Sequence, residues 1–280
     1  MNVDRSHPPS EPVITSTFID SHSFTLGDRR FELYSTPGGE TTDSLVVWLP
    51  EERTVFTGNL MGPLFGHVPN LYTVRGDKIR SALAFIHSLD RVIGLEPEML
   101  ITGHGEPIRG ADEILRRVTQ VRDATAFLRE RTIEGMNAGV DLWTLMGKIS
   151  LPPELAIPQG HGKVPWIVRA IWEEHAGWFR FESTTELYNV PPQAIWPELV
   201  ELAGGTAPLV QRAQEHLDAG RPLEALQFVD MVLAQNPADR SALLVKLGAH
   251  QLHLERSGRE NFSEVRWLEA EISDTQAALG

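Results

Sequence analysis

The sequence predicts an α/β layer followed by an all-α region, on three observations. Between residues 13 and 56, β-branched and aromatic runs alternate with turn formers. Residues 77–90 then carry a helical apolar stripe, and residues 98–102 return to a short apolar run. Beyond Gly110 the apolar period is helical throughout.

Taken in order, Val13-Ile14-Thr15, Ser23-Phe24-Thr25-Leu26, Arg30-Phe31-Glu32-Leu33-Tyr34 and Ser44-Leu45-Val46-Val47-Trp48-Leu49 read as strands. They are separated by the turn formers Gly27-Asp28, Pro37-Gly38-Gly39 and Pro50-Glu51-Glu52. Ile79, Leu83, Ile86 and Leu89 share one helical face over 77–90. A long amphipathic helix is predicted over 111–134, with Gly135 and Gly139 at its C-cap. Shorter helices are predicted over 142–149 and 164–178, the latter with Pro165 in its first turn. Gly220, Ala225, Val232 and Pro237 have the spacing of one tetratricopeptide-type helical hairpin, and an ordinary hairpin in an all-α domain is the simpler reading. The resulting division is 1–110 and 111–280.

Composition narrows the chemistry. The 280 residues carry 25 basic and 38 acidic side chains, a formal charge of -13 that repels phosphate backbones and anionic lipid, so neither nucleic acid nor membrane is an expected partner. There is no cysteine, which removes disulfides, thiolate metal sites and cysteine nucleophiles and leaves His, Asp and Glu as the common side-chain metal ligands. Residues 1–12 lack the basic start and apolar run of a secretory signal, so a cytoplasmic protein is expected, or a periplasmic one if a segment lies upstream.

Three glycine-rich turns follow strand candidates. They are Thr36-Pro37-Gly38-Gly39-Glu40, Val55-Phe56-Thr57-Gly58-Asn59 and Ile101-Thr102-Gly103-His104-Gly105. Missing side chains at such turns let a ligand approach closely. This arrangement resembles the second half of the metallo-β-lactamase fold, an αββα sandwich. Glu40, together with Asn70-Leu71-Tyr72-Thr73-Val74-Arg75-Gly76, resembles its alkylsulfatase branch. Residues 160–179 and the hairpin ending at Trp267-Leu268-Glu269-Ala270 resemble that branch's helical dimerisation domain, so the likeness runs over about 13–280.

The resemblance implies metal-dependent hydrolysis of alkyl sulfate esters, with Asn70 and Arg75 holding the sulfate. It also implies two zinc ions per complete site, ligated here by Glu40, His104 and, at the bridging position, Asn59, and a homodimer. An Arg fork and an amide suit a tetrahedral oxyanion of any ester. Taken without the resemblance, Asn70 and Arg75 also fit as caps of the helix entered at Asp77.

This sequence departs from the family pattern in three ways. No His-x-His pair occurs in it, and the family's His-x-His-x-Asp-His motif is expected upstream of residue 13. Asn59 is a neutral amide where a bridging carboxylate belongs. The sterol-carrier-like segment expected at the end of a family member is not among these 280 residues. The expectation is an alkylsulfatase-like metallo-hydrolase, incomplete or inactive as this chain alone. The alternatives are a non-catalytic dimerisation or scaffold protein with an open sheet face and edge, or a metallo-hydrolase of another ester. His67 is an acid–base candidate or a plain loop histidine. His161 is given no role, His250 and His253 read as surface residues, and Glu173-Glu174 as a solvated face. Trp166, Trp172 and Trp178 read as core and dimer contacts. Glu40, Asn70, Arg75 and His104 are expected to converge at the rim of the β-layer.

Overall fold

The computed structural model describes residues 14–78 and 80–280. One six-stranded sheet runs in sequence order: β1 (Ser21–Leu26), β2 (Arg29–Ser35), β3 (Leu45–Leu49), β4 (Thr54–Gly58), β5 (Met99–Thr102) and β6 (Ile108–Arg109). All neighbours are antiparallel except β4 and β5, which pair in parallel across the connecting helix α1 (Ala82–Gly94). That crossover is required because parallel neighbours cannot be joined by a tight turn. β1 lies at the sheet edge and is exposed along its whole length, its Phe24 ring stacked on Phe31 at 5.0 Å. Ile14 and Thr15 are in no strand, and Val13, with Ile79 of the expected stripe, lies outside the described residues.

The helix expected over 77–90 begins later, at Ala82. Ser81 is its N-cap, its Oγ accepting from the Ala84 amide at 3.2 Å. Asn70 and Arg75 are therefore not its caps. Asp77 instead accepts from Thr73 and Arg75, each at 3.0 Å, beside the turn that the Gly76 amide closes on the Thr73 carbonyl. The solvated-face reading of Glu173-Glu174 holds for Glu174, which is exposed, and fails for Glu173. Glu174 Oε2 accepts from the Ala82 amide at 3.3 Å, one of the donors a helix start leaves unpaired, and Glu173 is bonded to Arg169 at 2.8 Å with 14% of its side chain exposed.

Helix α2 (Ala111–Asn137) starts at Gly110, with Asp112 and Glu113 favourably placed in its first turn. It passes through Gly135, where a Cβ would strike the Leu145 methyls of α3 (Leu142–Lys148). Gly135 thus serves close packing, and Gly139, at φ +72°, follows the helix end. Helix α4 (Val164–Ala176) packs on α2 and α3. Val46, Val55 and Leu100 of the sheet share one core with Phe85, Leu89, Val121, Leu128, Ile167 and Ile171, so sheet and helices up to residue 171 bury a common surface.

The remaining helices are α5 (Trp196–Leu202), α6 (Thr206–Asp218), α7 (Pro222–Gln235), α8 (Arg240–Arg256) and α9 (Phe262–Leu279). Helices α6 and α7 form a hairpin turning at Gly220, φ +70°, around buried Ala213, Ala225, Val229 and Val232. His250 was expected at the surface but is 6% exposed, because α8 is covered by α6, α7 and α9. Among the described residues no helix is long and apolar enough to cross a membrane.

Candidate functional site

The parallel pairing of β4 and β5 sets two side chains next to each other. Both strands end in the same direction, and the Gly103 amide donates to the Gly58 carbonyl at 2.8 Å, extending the pairing into the turns. Asn59 and His104 follow at once. Gly103 cannot be replaced without conflict, because a Cβ there would collide with Asn59 Oδ1. The Thr102 hydroxyl donates to the His104 carbonyl and fixes the second turn.

Glu40 comes from the loop after β2, closed by the Thr36 amide donating to the Ser44 carbonyl at 2.8 Å. Its tip is wedged in place. Gly38, at φ +97°, lies against the Ser81 carbonyl and the Phe85 amide, and a Cβ on Gly39 would strike the Leu60 carbonyl. These glycines let the loop pass between the start of α1 and Leu60, so that Glu40 emerges beside Arg80, Oε2 to the guanidinium 3.8 Å.

Arg80 is the buried centre of the 70–80 segment, its side chain 8% exposed. It donates to the Asn70 carbonyl at 2.9 Å and to Asp77 Oδ2 at 3.4 Å. The same Asp77 oxygen accepts from the Thr73 hydroxyl and from Arg75, each at 3.0 Å. The Thr73 bond, aided by Arg75 and Arg80, holds the Asp77 carboxyl below the usual carboxylate range. Asn70 is 5% exposed, and its Oδ1 has no partner among the described residues.

The opposite wall comes from far along the chain. His161 stands in the 160–162 loop, its ring against Gly62 on one side and stacked on Phe262 of α9 at 5.6 Å. Asn261 clasps the two segments. Its Nδ2 donates to the carbonyls of Gln159 at 2.8 Å and His161 at 3.0 Å, while its Oδ1 accepts from the Ser263 and Glu264 amides at 3.1 Å as the N-cap of α9. Burial, and then the positive Arg80, push the His161 imidazole down to about 4, so it is neutral at physiological pH.

These parts enclose a cavity of about 550 Å³. Glu40, Asn59, Asn70, Arg75 and His104 line it together with Arg80, and His161, Phe262, Arg266, Trp267 and Ala270 form the other side. His67 is not among the lining residues. Its Nδ1 accepts the Gly160 amide at 3.0 Å, and burial lowers its pKa, so it braces the 160–162 loop. Sequence reasoning missed Arg80, gave His161 no role, and had no reason to bring α9 to the site. A lone arginine ahead of Ser81 was the one available signal.

The donor set does not fit a resident metal ion. Among the described residues no group of three or more His, Asp or Glu side chains is placed to hold one. Asn59 offers a neutral amide, and Glu40 already faces a guanidinium. Three arginines against one carboxylate make the lining cationic in a protein of net charge -13, which suits an anion.

Residues 145–263 match the alkyl sulfatase dimerisation family. A linear primary-alkylsulfatase of a Pseudomonas strain is 30% identical over 197 residues, which are 68% of this chain and 36% of that enzyme. An (R)-specific secondary-alkylsulfatase of a Pseudomonas species is 25% identical over 233 residues, 80% of this chain and 34% of that enzyme. The fold is similar to that of a solved stereoselective inverting sec-alkylsulfatase of a Pseudomonas species, with TM-score 0.79 and 22% identity, covering 94% of this chain and 41% of that one. The chain therefore spans about a third of the length of these curated relatives.

Proposed function

The chain belongs to the alkylsulfatase branch of the metallo-β-lactamase superfamily, and from that premise we propose that its cavity seats the sulfate ester of an aliphatic alcohol. One observation supports this reading above others. Asn70, Arg75 and Arg80 face the same cavity as the apolar side chains Phe262, Trp267 and Ala270. A sulfate monoester has both halves of that chemistry, a tetrahedral anion for charged and amide donors and an alkyl chain for an apolar wall.

Asn70 supplies a buried amide, and Arg75 an exposed positive charge, with 70% of its side chain exposed and paired with Asp77 at 3.0 Å. Hydrolysis of the ester by a metal-activated water needs ligands that Glu40, Asn59 and His104 do not provide as a set. Alkyl sulfate binding is thus proposed for this chain, and release of sulfate is not expected from it alone. The division into a sandwich-derived part, 1–110, and a helical part, 111–280, belongs to the same proposal.

The test is titration calorimetry with octyl sulfate, in parallel with zinc analysis of the purified protein and an assay for released sulfate. Saturable binding with neither stoichiometric zinc nor sulfate release is the expected result. Turnover with stoichiometric zinc would restore a full hydrolase, and absence of binding would remove the alkyl sulfate reading.

A second reading, self-association, is favoured by a different observation. Within the dimerisation-family residues, Trp178, Phe181 and Leu202 are 72%, 80% and 85% exposed, and Leu187, Tyr188, Val190 and Ile195 between them are exposed as well. An apolar run of that kind on a lone chain is characteristic of an interface. A homodimer by light scattering, weakened by Phe181→Ser, supports this reading, and a monomer at tens of micromolar removes it.

A further inference from the structure

We propose that Arg80 is a built-in cation that takes the place of metal charge beside Glu40, making the cavity a metal-independent site for an amphiphilic monoanion. The inference rests on the alkyl sulfate reading of the same cavity and adds how the anion is held there.

Three features carry it. The Arg80 guanidinium is buried and held by its bonds. It is tied to the Asn70 carbonyl at 2.9 Å and lies between Asp77 at 3.4 Å and Glu40 at 3.8 Å. A divalent ion drawn to Glu40 would face that guanidinium at close range, in a partly desolvated site where like charges repel most strongly.

The second feature is charge. Arg75, Arg80 and Arg266 line the cavity against Glu40 alone, so an excess of positive charge remains after Glu40 is counted. Asp77 offsets part of it from behind the lining. One monoanion completes the balance, whereas a metal ion would increase the excess.

The third is unmet hydrogen bonding. The Asn70 side-chain carbonyl and His161 Nδ1 are both buried and unpartnered among the described residues, although such groups are costly to leave unpaired. Both residues line the cavity, where the Asn70 NH2 is a donor and neutral His161 can carry its proton on Nδ1. Each then donates to an anion oxygen. Phe262, Trp267 and Ala270 of α9 extend from that point as an apolar wall for the alkyl chain.

The experiment is titration of the full chain with octyl sulfate, once in EDTA and once in zinc chloride, with octanol as the uncharged control. The expected result is one site with the same Kd in both buffers to within about twofold, and no saturable octanol binding at the same concentrations. Glu40→Gln removes the one carboxylate facing the anion, so it should bind octyl sulfate at least as tightly as the parent. Arg80→Met should weaken binding by about tenfold or more, as expected for loss of a charge-assisted contact. If Arg80→Met does not fold, the Glu40→Gln result decides. Binding that appears only with zinc, or that Glu40→Gln abolishes, overturns the built-in cation and leaves the alkyl sulfate reading intact. Absence of octyl sulfate binding in both buffers overturns both.

Discussion

The rings of His161 and Phe262 lie within 11° of parallel at 5.6 Å, joining the loop ahead of α4 to the first residue of α9. The backbone repeats the union, with the Phe262 amide donating to the Gly160 carbonyl at 3.1 Å. The cavity is therefore a seam between two parts of the chain about a hundred residues apart, and its integrity can be tested at the stitches.

Asn261 is the first stitch. Asn261→Ala removes a helix cap, worth about 1 kcal/mol. It also leaves the Gln159 and His161 carbonyls without their donor, each buried loss costing about 1–3 kcal/mol. The expected total is roughly 3–7 kcal/mol by urea unfolding, and Asn261→Asp, which keeps the cap and loses the donor, should fall between the parent and the alanine variant.

Lys163 is the second. Its ammonium lies 2.8 Å from both carboxylate oxygens of Glu264, whose side chain is 12% exposed. Lys163→Met strands that carboxylate and should destabilise by about 3 kcal/mol. The double variant with Glu264→Met should recover most of the loss. Equal Tm values for the single and double variants would show that the charge pair is not what joins the segments.

Gly62 guards the His161 ring. It has φ +72°, and a Cβ would lie 2.5 Å from the imidazole Cδ2. Gly62→Ala combines backbone strain with overpacking and should cost about 1–3 kcal/mol. Displacing His161 should also lower octyl sulfate affinity in calorimetry, whereas an unchanged Kd would place His161 outside the binding contacts.

Acid should weaken the fold in a defined window. His161 titrates near 4 when folded and near its ordinary 6.5 when unfolded, so between these values the unfolded chain takes up a proton that the folded one excludes. Its contribution is fully present above about pH 6.5, declines as pH falls toward 4, and then levels off. After allowance for screening it amounts to roughly 2 kcal/mol. His67 and His250, both lowered by burial, act in the same direction. Urea midpoints between pH 7 and 4 should fall more steeply for the parent than for His161→Gln.

The strands β2 to β5 were legible because apolar runs bounded by Gly and Pro leave few other options. The turns bearing Glu40, Asn59 and His104 were legible for the same reason, since a polar residue behind glycine at a strand end has few structural uses. The start of α1 was misjudged because the stripe of 77–90 has helical spacing throughout, while Asp77 is drawn into bonds with Thr73 and Arg75 that hold a turn. His250 was misjudged because burial on several sides leaves no polar face to read. Arg80 offered no more than its position ahead of Ser81. Its meaning lies in the approach of Glu40, which only the wedge of Gly38 and Gly39 against α1 creates.

Because Phe262, Arg266, Trp267 and Ala270 close the cavity from α9, the order of synthesis matters. A ribosome that has just added residue 250 has already made the sheet, Arg80 and His161, but neither the α9 wall nor Arg266, the third of the lining arginines. Only when α9 leaves the exit tunnel and Asn261 closes on the 159–162 loop does the nascent chain acquire a pocket. The two walls of the cavity thus meet only when the distant helix arrives.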